Sequence, residues 1–265
     1  MDRQSLIGFV LIALIVMGWM FYNQSAEVKK PAQQKTVTAQ TQETAAPAIP
    51  EQSAEENLGT TFAPLAAASE RTVTIETDLL KAKISSKGGT IAGWELKKFK
   101  SWRGEPVQLI KPGAHEYSLS FISSEGKKVD TRKLNFDLNS DQNIKISGDK
   151  SFTLTARMNV TPNSVIERTY TFYGNRYDVP TKVTLINMES IIPSRRYDLT
   201  WKNGLKYQEE NSVDESNSSI AVASLNGTVE ELDAVDFNVP IETKATGIID
   251  YIGVRSKYFL AAIKQ

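Results

Sequence analysis

The sequence has 265 residues with 31 basic and 31 acidic side chains, a formal net charge of zero, and residues 71–265 hold 27 basic against 24 acidic ones. So slight an excess does not suggest a nucleic-acid-binding surface, which would show clustered basic stripes. Cysteine is absent and His115 is the only histidine, which removes disulfide frameworks, thiolate nucleophiles and Cys- or His-rich zinc sites from consideration.

The chain opens on an apolar run. Ser5–Tyr22 is 18 residues without a charge, and no charged side chain stands between Arg3 and Glu27. As an α-helix that length is about 27 Å, close to the thickness of a hydrocarbon core. Leu6, Ile7, Phe9, Leu11 and Leu14 leave it no polar face, while Trp19, Phe21 and Tyr22 gather at the end where amphipathic rings suit a lipid–water interface. A cleavable signal peptide would have a longer basic start, a shorter apolar core and a small-residue cleavage site. Residues 1–24 therefore read as an uncleaved transmembrane anchor. Charge leaves its orientation open, since Lys29, Lys30 and Lys35 outnumber Arg3, yet a long following domain weakens the positive-inside rule.

Residues 25–70 are rich in Ala, Gln, Thr, Glu and Pro, with Phe62 as their one aromatic. Such a stretch buries too little apolar surface to offset its ordering entropy, so it reads as a disordered linker. As a coil of 46 residues it would span about 35–40 Å.

From Arg71 the pattern changes to a period of two. Val73 and Ile75; Leu80, Ala82 and Ile84; Tyr117, Leu119 and Phe121; and Leu134, Phe136 and Leu138 alternate with polar residues, as do Ile144 and Ile146. Phe152, Leu154, Ala156, Met158 and Val160 form the longest series, and Val179, Thr181, Val183 and Leu185 continue the pattern. These are strands with one buried face. Turn residues such as Lys87-Gly88-Gly89, Arg103-Gly104, Lys111-Pro112-Gly113, Ser124-Glu125-Gly126, Ser147-Gly148, Tyr173-Gly174 and Asn226-Gly227 separate them at hairpin spacing. About a dozen or more strands in such a domain fit two large antiparallel sheets packed face to face. Residues 71–255 are thus one mainly β domain. Residues 256–265 read as a helix capped by Ser256, with Phe259, Leu260 and Ile263 on one face, and the sequence stops there as a truncated chain would.

No catalytic motif emerges. His115, in KPGAHEY, is the single candidate base and reads as a surface histidine beside a turn. Glu209-Glu210 and Glu230-Glu231 read as solvated loops, though glycosidase carboxylates pair in space rather than in sequence and stay open on this ground alone. Gly88-Gly89 lacks the helix and lysine of a phosphate loop. Trp94, Trp102 and Trp201 suit either a sugar-stacking surface or a β-sandwich core.

The opening string MDRQSLIGFVLIALIVMGWMFYNQ resembles the start of the YidC-type (Oxa/Alb) membrane protein insertases. The blocks LLKAKISSKGGTIAGWELKKFKSWRGEPVQLI (79–110), YTFYGNRYDVPTKVTLIN (170–187) and YIGVRSKYFLAAIKQ (251–265) are similar to that family in the same order. The resemblance implies a bacterial inner-membrane protein with a cytoplasmic N-terminus and a periplasmic β-supersandwich ending in a short helix. It implies a chaperone-like insertase working without enzymatic chemistry or cofactor. Its partners would be the Sec translocon and its accessory proteins, nascent inner-membrane proteins and the lipid bilayer, with no nucleic acid. The family's hydrophilic groove among later membrane helices has no counterpart at these positions, so no insertase residue carries over. Gly253, Lys257, Tyr258 and Phe259 would mark the junction between this domain and the membrane core. The alternative is a membrane-tethered carbohydrate-binding β-sandwich, because supersandwich folds also occur in sugar-binding proteins and fold alone does not settle function.

Overall fold

Alternating apolar and polar residues build sixteen strands in a computed structural model that describes residues 58–233 and 247–264. They are β1 (Thr72–Glu76), β2 (Leu80–Ser85), β3 (Ile91–Lys100), β4 (Pro106–Gln108), β5 (Ser118–Ile122), β6 (Lys128–Asp130), β7 (Asp137–Leu138) and β8 (Ile144–Lys145). Then come β9 (Ser151–Asn159), β10 (Val165–Tyr173), β11 (Thr181–Ile186), β12 (Asp198–Thr200), β13 (Ile220–Leu225), β14 (Thr228–Leu232), β15 (Ile249–Arg255) and β16 (Leu260–Lys264). Two short helices, α1 (Gly59–Phe62) and α2 (Ser212–Ser216), accompany them. The expected anchor, with Leu6, Ile7, Phe9, Leu11, Leu14, Trp19, Phe21 and Tyr22, lies outside the described residues.

The fold is a mainly β supersandwich, but its strands divide into four sheets rather than two. The orders are β4-β3-β2-β1-β8, β11-β10-β9-β7, β12-β5-β6 and β14-β13-β15-β16. Strands of two or three residues (β4, β6, β7, β8, β12) end before their pairing can propagate into a wider sheet. One pairing departs from the antiparallel expectation: β8 runs parallel to β1, Ile75 opposite Ile144. The strands lie far apart in sequence, so no hairpin turn fixes their direction.

The two longest sheets pack through Ile75, Leu80, Ile84, Leu154, Met158, Ile166 and Phe172, all in one buried cluster. Trp94 on β3 meets Phe172 on β10 with ring centroids 6.2 Å apart. Leu134, Phe136 and Leu138 are buried as their alternation predicts, yet only Asp137–Leu138 is a strand. Residues 131–133 form a 3₁₀ turn instead, capped by Asp130.

The Gly88-Gly89 turn is anchored from below. Both glycines have positive φ, 72° and 59°, a region costly for residues with a Cβ. The Gly88 carbonyl accepts from Arg168 Nη1 at 2.9 Å and the Gly89 carbonyl from the Tyr170 hydroxyl at 2.6 Å. Arg168 is fully buried, donates also to the Tyr117 carbonyl, and lies 4.7 Å from the Tyr117 ring centre. Hydrogen bonds and a cation–π contact take the place of a carboxylate partner there. Burial pushes the Tyr170 phenol up to about 12.

Two boundaries move. Folded structure begins no later than Leu58, inside the stretch read as linker: Phe62 is fully buried and its ring meets Phe121 at 5.5 Å. Glu125 fastens this segment by accepting from the Thr60 and Thr61 amides at 2.7 and 3.0 Å. The expected C-terminal helix is strand β16, the second arm of a hairpin with β15. Ser256 closes the hairpin turn: its amide donates to the Phe259 carbonyl at 2.8 Å, and its hydroxyl accepts from the Phe259 amide at 3.3 Å. Cross-strand bonds to β15 outweigh the weak helical propensity of a ten-residue stretch.

Candidate functional site

Cross-strand register places Leu232, Ala221, Val254 and Ala261 in one row across the sheet β14-β13-β15-β16, and Glu230, Ala223, Ile252 and Ile263 in the next row. Residues two apart on a strand share a face, so these eight side chains form one surface, apolar except for Glu230. Alanine stands at three of the eight positions and leaves the surface hollow. Leu199, Thr200 and Trp201, on and just after β12, form the opposite wall of a groove of about 370 Å³. Most of its wall is only half-buried.

The Trp201 wall is held by a buried carboxylate. Glu116 is 1% exposed and accepts from the Lys202 amide at 2.6 Å and the Asn203 amide at 3.2 Å; the Asn203 side-chain amide also donates to it. Glu116 is itself fixed through its backbone to Ile91. A second buried carboxylate, Glu215 on α2, accepts from the Gln208 and Glu209 amides at 2.6 and 2.9 Å.

The residues expected at the junction fall around the β15–β16 hairpin. Gly253 lines the groove, and a Cβ there would stand 2.7 Å from the Ala261 carbonyl oxygen. Lys257 pairs with Asp214 at 2.6 Å and Glu209 at 3.2 Å, which hold its ammonium above its ordinary range. Tyr258 donates to Glu209, and Phe259 meets Phe99 edge-on at 5.6 Å. Lys257, Tyr258 and Phe259 thus lie together on the hairpin turn, and Gly253 stands apart in the groove.

The other sequence candidates scatter. His115 Nδ1 is 3.1 Å from the Thr90 hydroxyl and Nε2 is 3.6 Å from Glu70. Thr90 is fully buried and its hydroxyl donates to the Lys87 carbonyl, so this trio supports a turn and presents no nucleophile to a substrate. Glu230 lines the groove, Glu231 faces Arg255 at 3.4 Å, and Glu209 and Glu210 sit in the loop before α2. Trp94 packs on the core, Trp102 is exposed and Trp201 lines the groove, so the three form no shared sugar-stacking platform. Sequence reading missed the groove itself. Its one signal was the small-residue alternation of Ala221 and Ala223, which has no meaning until the register is known.

Comparison with known proteins agrees with this architecture. Residues 72–263 match the family model of the YidC periplasmic domain. The curated protein "Membrane protein insertase YidC" of Chlorobaculum tepidum is 36% identical over 275 residues, covering 99% of this chain and 46% of its own length. The proteins of the same name from Chlorobium luteolum and Chlorobaculum parvum are 36% and 32% identical, again over 99% of this chain. The chain therefore spans about half the length of the curated relatives it matches. It belongs to the YidC family of membrane protein insertases, and residues 72–263 are the periplasmic domain of that family.

Proposed function

We propose that this chain is the anchor and contact domain of an inner-membrane insertase, in which the groove beside Trp201 receives extended apolar segments of nascent inner-membrane proteins. The groove supports this reading: a hollow apolar face opposite Leu199 and Trp201, half-open to solvent. An extended chain laid there alternates its side chains into the hollow at a two-residue period, which matches the spacing of the rows below it. Residues 1–24 anchor the domain with the N-terminus in the cytoplasm. Accessory proteins of the Sec translocon are further partners of the domain. The chain performs no covalent chemistry, and the carbohydrate-binding alternative gains nothing from the single tryptophan in the groove.

Photo-crosslinking tests this. A photoreactive residue replacing Ala223 in the complete protein should trap a small inner-membrane protein during its synthesis, and one replacing exposed Gln142 should not. Equal trapping at both positions, or none at Ala223, would overturn the proposal.

A further inference from the structure

The end of the domain that carries the β15–β16 turn exposes an unusual share of large apolar side chains. Phe99, Trp102, Tyr177 and Tyr258 are 45%, 52%, 42% and 55% exposed. They come from separate segments: the end of β3, the β3–β4 turn, the β10–β11 loop and the β15–β16 turn. Ring contacts join three of them: Phe99 lies 6.4 Å from Tyr177 and 5.6 Å from Phe259, and Phe259 6.5 Å from Tyr258. The supports are fixed. The Trp102 amide donates to the Gln208 carbonyl at 3.0 Å, and Glu209 holds both Lys257 and Tyr258.

Cations accompany the rings at this end. Lys98, Lys100 and Arg103 are exposed and make no ion pair among the described residues, and the Arg103 guanidinium lies 4.8 Å above the Trp102 ring. Asp214 and Glu209 are engaged with Lys257, and Asp178 with Arg176; Glu105 is exposed in the β3–β4 turn, and against it the three cations remain in excess. Trp and Tyr interleaved with free cations on protruding turns are the chemistry of a lipid headgroup layer, in which rings sit at the polar–apolar boundary and cations meet phosphates. A protein partner would be better served by the hollow face of the groove than by rings on separate turns.

We infer that Phe99, Trp102, Tyr177 and Tyr258, with Lys98, Lys100 and Arg103, form a bilayer-contact site that rests the periplasmic domain on anionic phospholipid. The inference uses the domain's place in an inner-membrane family and is independent of what fills the groove. The Glu70–Arg71 segment lies beside Ser85 and Ser86, at the end of the long sheet opposite Phe99.

The absence of cysteine permits single-site labels. The full chain with Trp102→Cys or Gln142→Cys, each spin-labelled, is reconstituted into vesicles of about three parts phosphatidylethanolamine to one part phosphatidylglycerol. Gln142 is exposed beside the Arg71–Asp141 pair, at the far end. The label at 102 should be at least about fivefold less accessible to an aqueous nickel chelate than the label at 142. Replacing Lys98, Lys100 and Arg103 with glutamine should remove most of that difference, because each cation near an anionic surface is worth about fivefold in partition. Loss of protection at high salt would support the same conclusion. Equal accessibility at the two positions would overturn it, as would protection that needs added periplasmic protein. Protection that persists in uncharged vesicles with the three glutamines present would also overturn it. Hydrogen exchange of the unlabelled chain at residues 98–103 and 257–260, with and without phosphatidylglycerol, repeats the test without substitution, and unchanged exchange would count against the site.

Discussion

Glu116→Ala should loosen one wall of the groove and reveal how much that wall depends on a single carboxylate. Glu116 accepts from two backbone amides, those of Lys202 and Asn203, and from one side-chain amide. A hydrogen bond to a charged group contributes about 1.5–3 kcal/mol, and an orphaned buried donor costs about 1–3 kcal/mol. The Lys202 side of this contact is open to water, which places each backbone bond at the low end. The expected loss for Glu116→Ala is therefore about 2–4 kcal/mol. Glu116→Gln keeps one carbonyl acceptor and loses the charge, so its cost should be about 1–2 kcal/mol. Denaturant titration followed by fluorescence gives the two midpoints, and amide exchange at Lys202 and Asn203 shows whether the loss is local. Exchange there should rise in the alanine variant before the sheets open. If alanine and glutamine variants matched wild type within about 0.5 kcal/mol, with both amides still protected, the carboxylate would not be what holds Trp201.

Two further outcomes test the revised boundaries. The Glu125 carboxyl is held down to about 2, chiefly by the Thr61 hydroxyl and the Thr60 and Thr61 amides. A folded value below the ordinary one means docking of residues 59–66 is fully supported above about pH 4.5 and weakens as pH falls toward 2, so hydrogen exchange of the Thr60 and Thr61 amides, corrected for its intrinsic rate at each pH, should rise across that window and lose that dependence in Glu125→Gln. Gly253→Val would place a Cβ 2.7 Å from the Ala261 oxygen and 3.2 Å from the Ala262 Cα, part β16 from β15 at a cost of about 1–3 kcal/mol, and show as lost protection of the Leu260–Lys264 amides; unchanged exchange there would mean the strands tolerate the added atom.

The strands were legible because alternation and burial are nearly the same information. In β9 the apolar Leu154, Ala156 and Met158 are buried while Thr153, Arg157 and Asn159 between and beside them are exposed, as the residues alternate. The two misread ends fail for a common reason. Phe62 was visible as the only aromatic in a polar stretch, but composition averages over a window and cannot show that one ring fills a site against Phe121. Phe259, Leu260 and Ile263 satisfy helical spacing, yet a pattern so short satisfies a strand as well. Pairing with β15 decides between them.

The groove was illegible for a different reason, and that reason bears on function. Its floor is built from Ala221, Ala223, Ile252, Val254, Ala261 and Ile263, residues of ordinary β character that acquire a shared face only through a register spanning three strands. A site that reads polar chemistry leaves polar residues in the sequence; one that accepts apolar segments leaves only missing volume, here the alanines opposite Trp201. Such a surface suits a partner whose sequence varies while its extended shape and apolarity do not. The aromatic end differs. Phe99 at the end of β3 and Trp102, Tyr177 and Tyr258 on turns and loops are exposed with free cations beside them, and exposed rings of that kind add little to the packing of a β-domain. Hollow face and ringed tip are thus complementary devices: one takes an apolar chain out of water, and the other sets the domain against the layer that such a chain must enter.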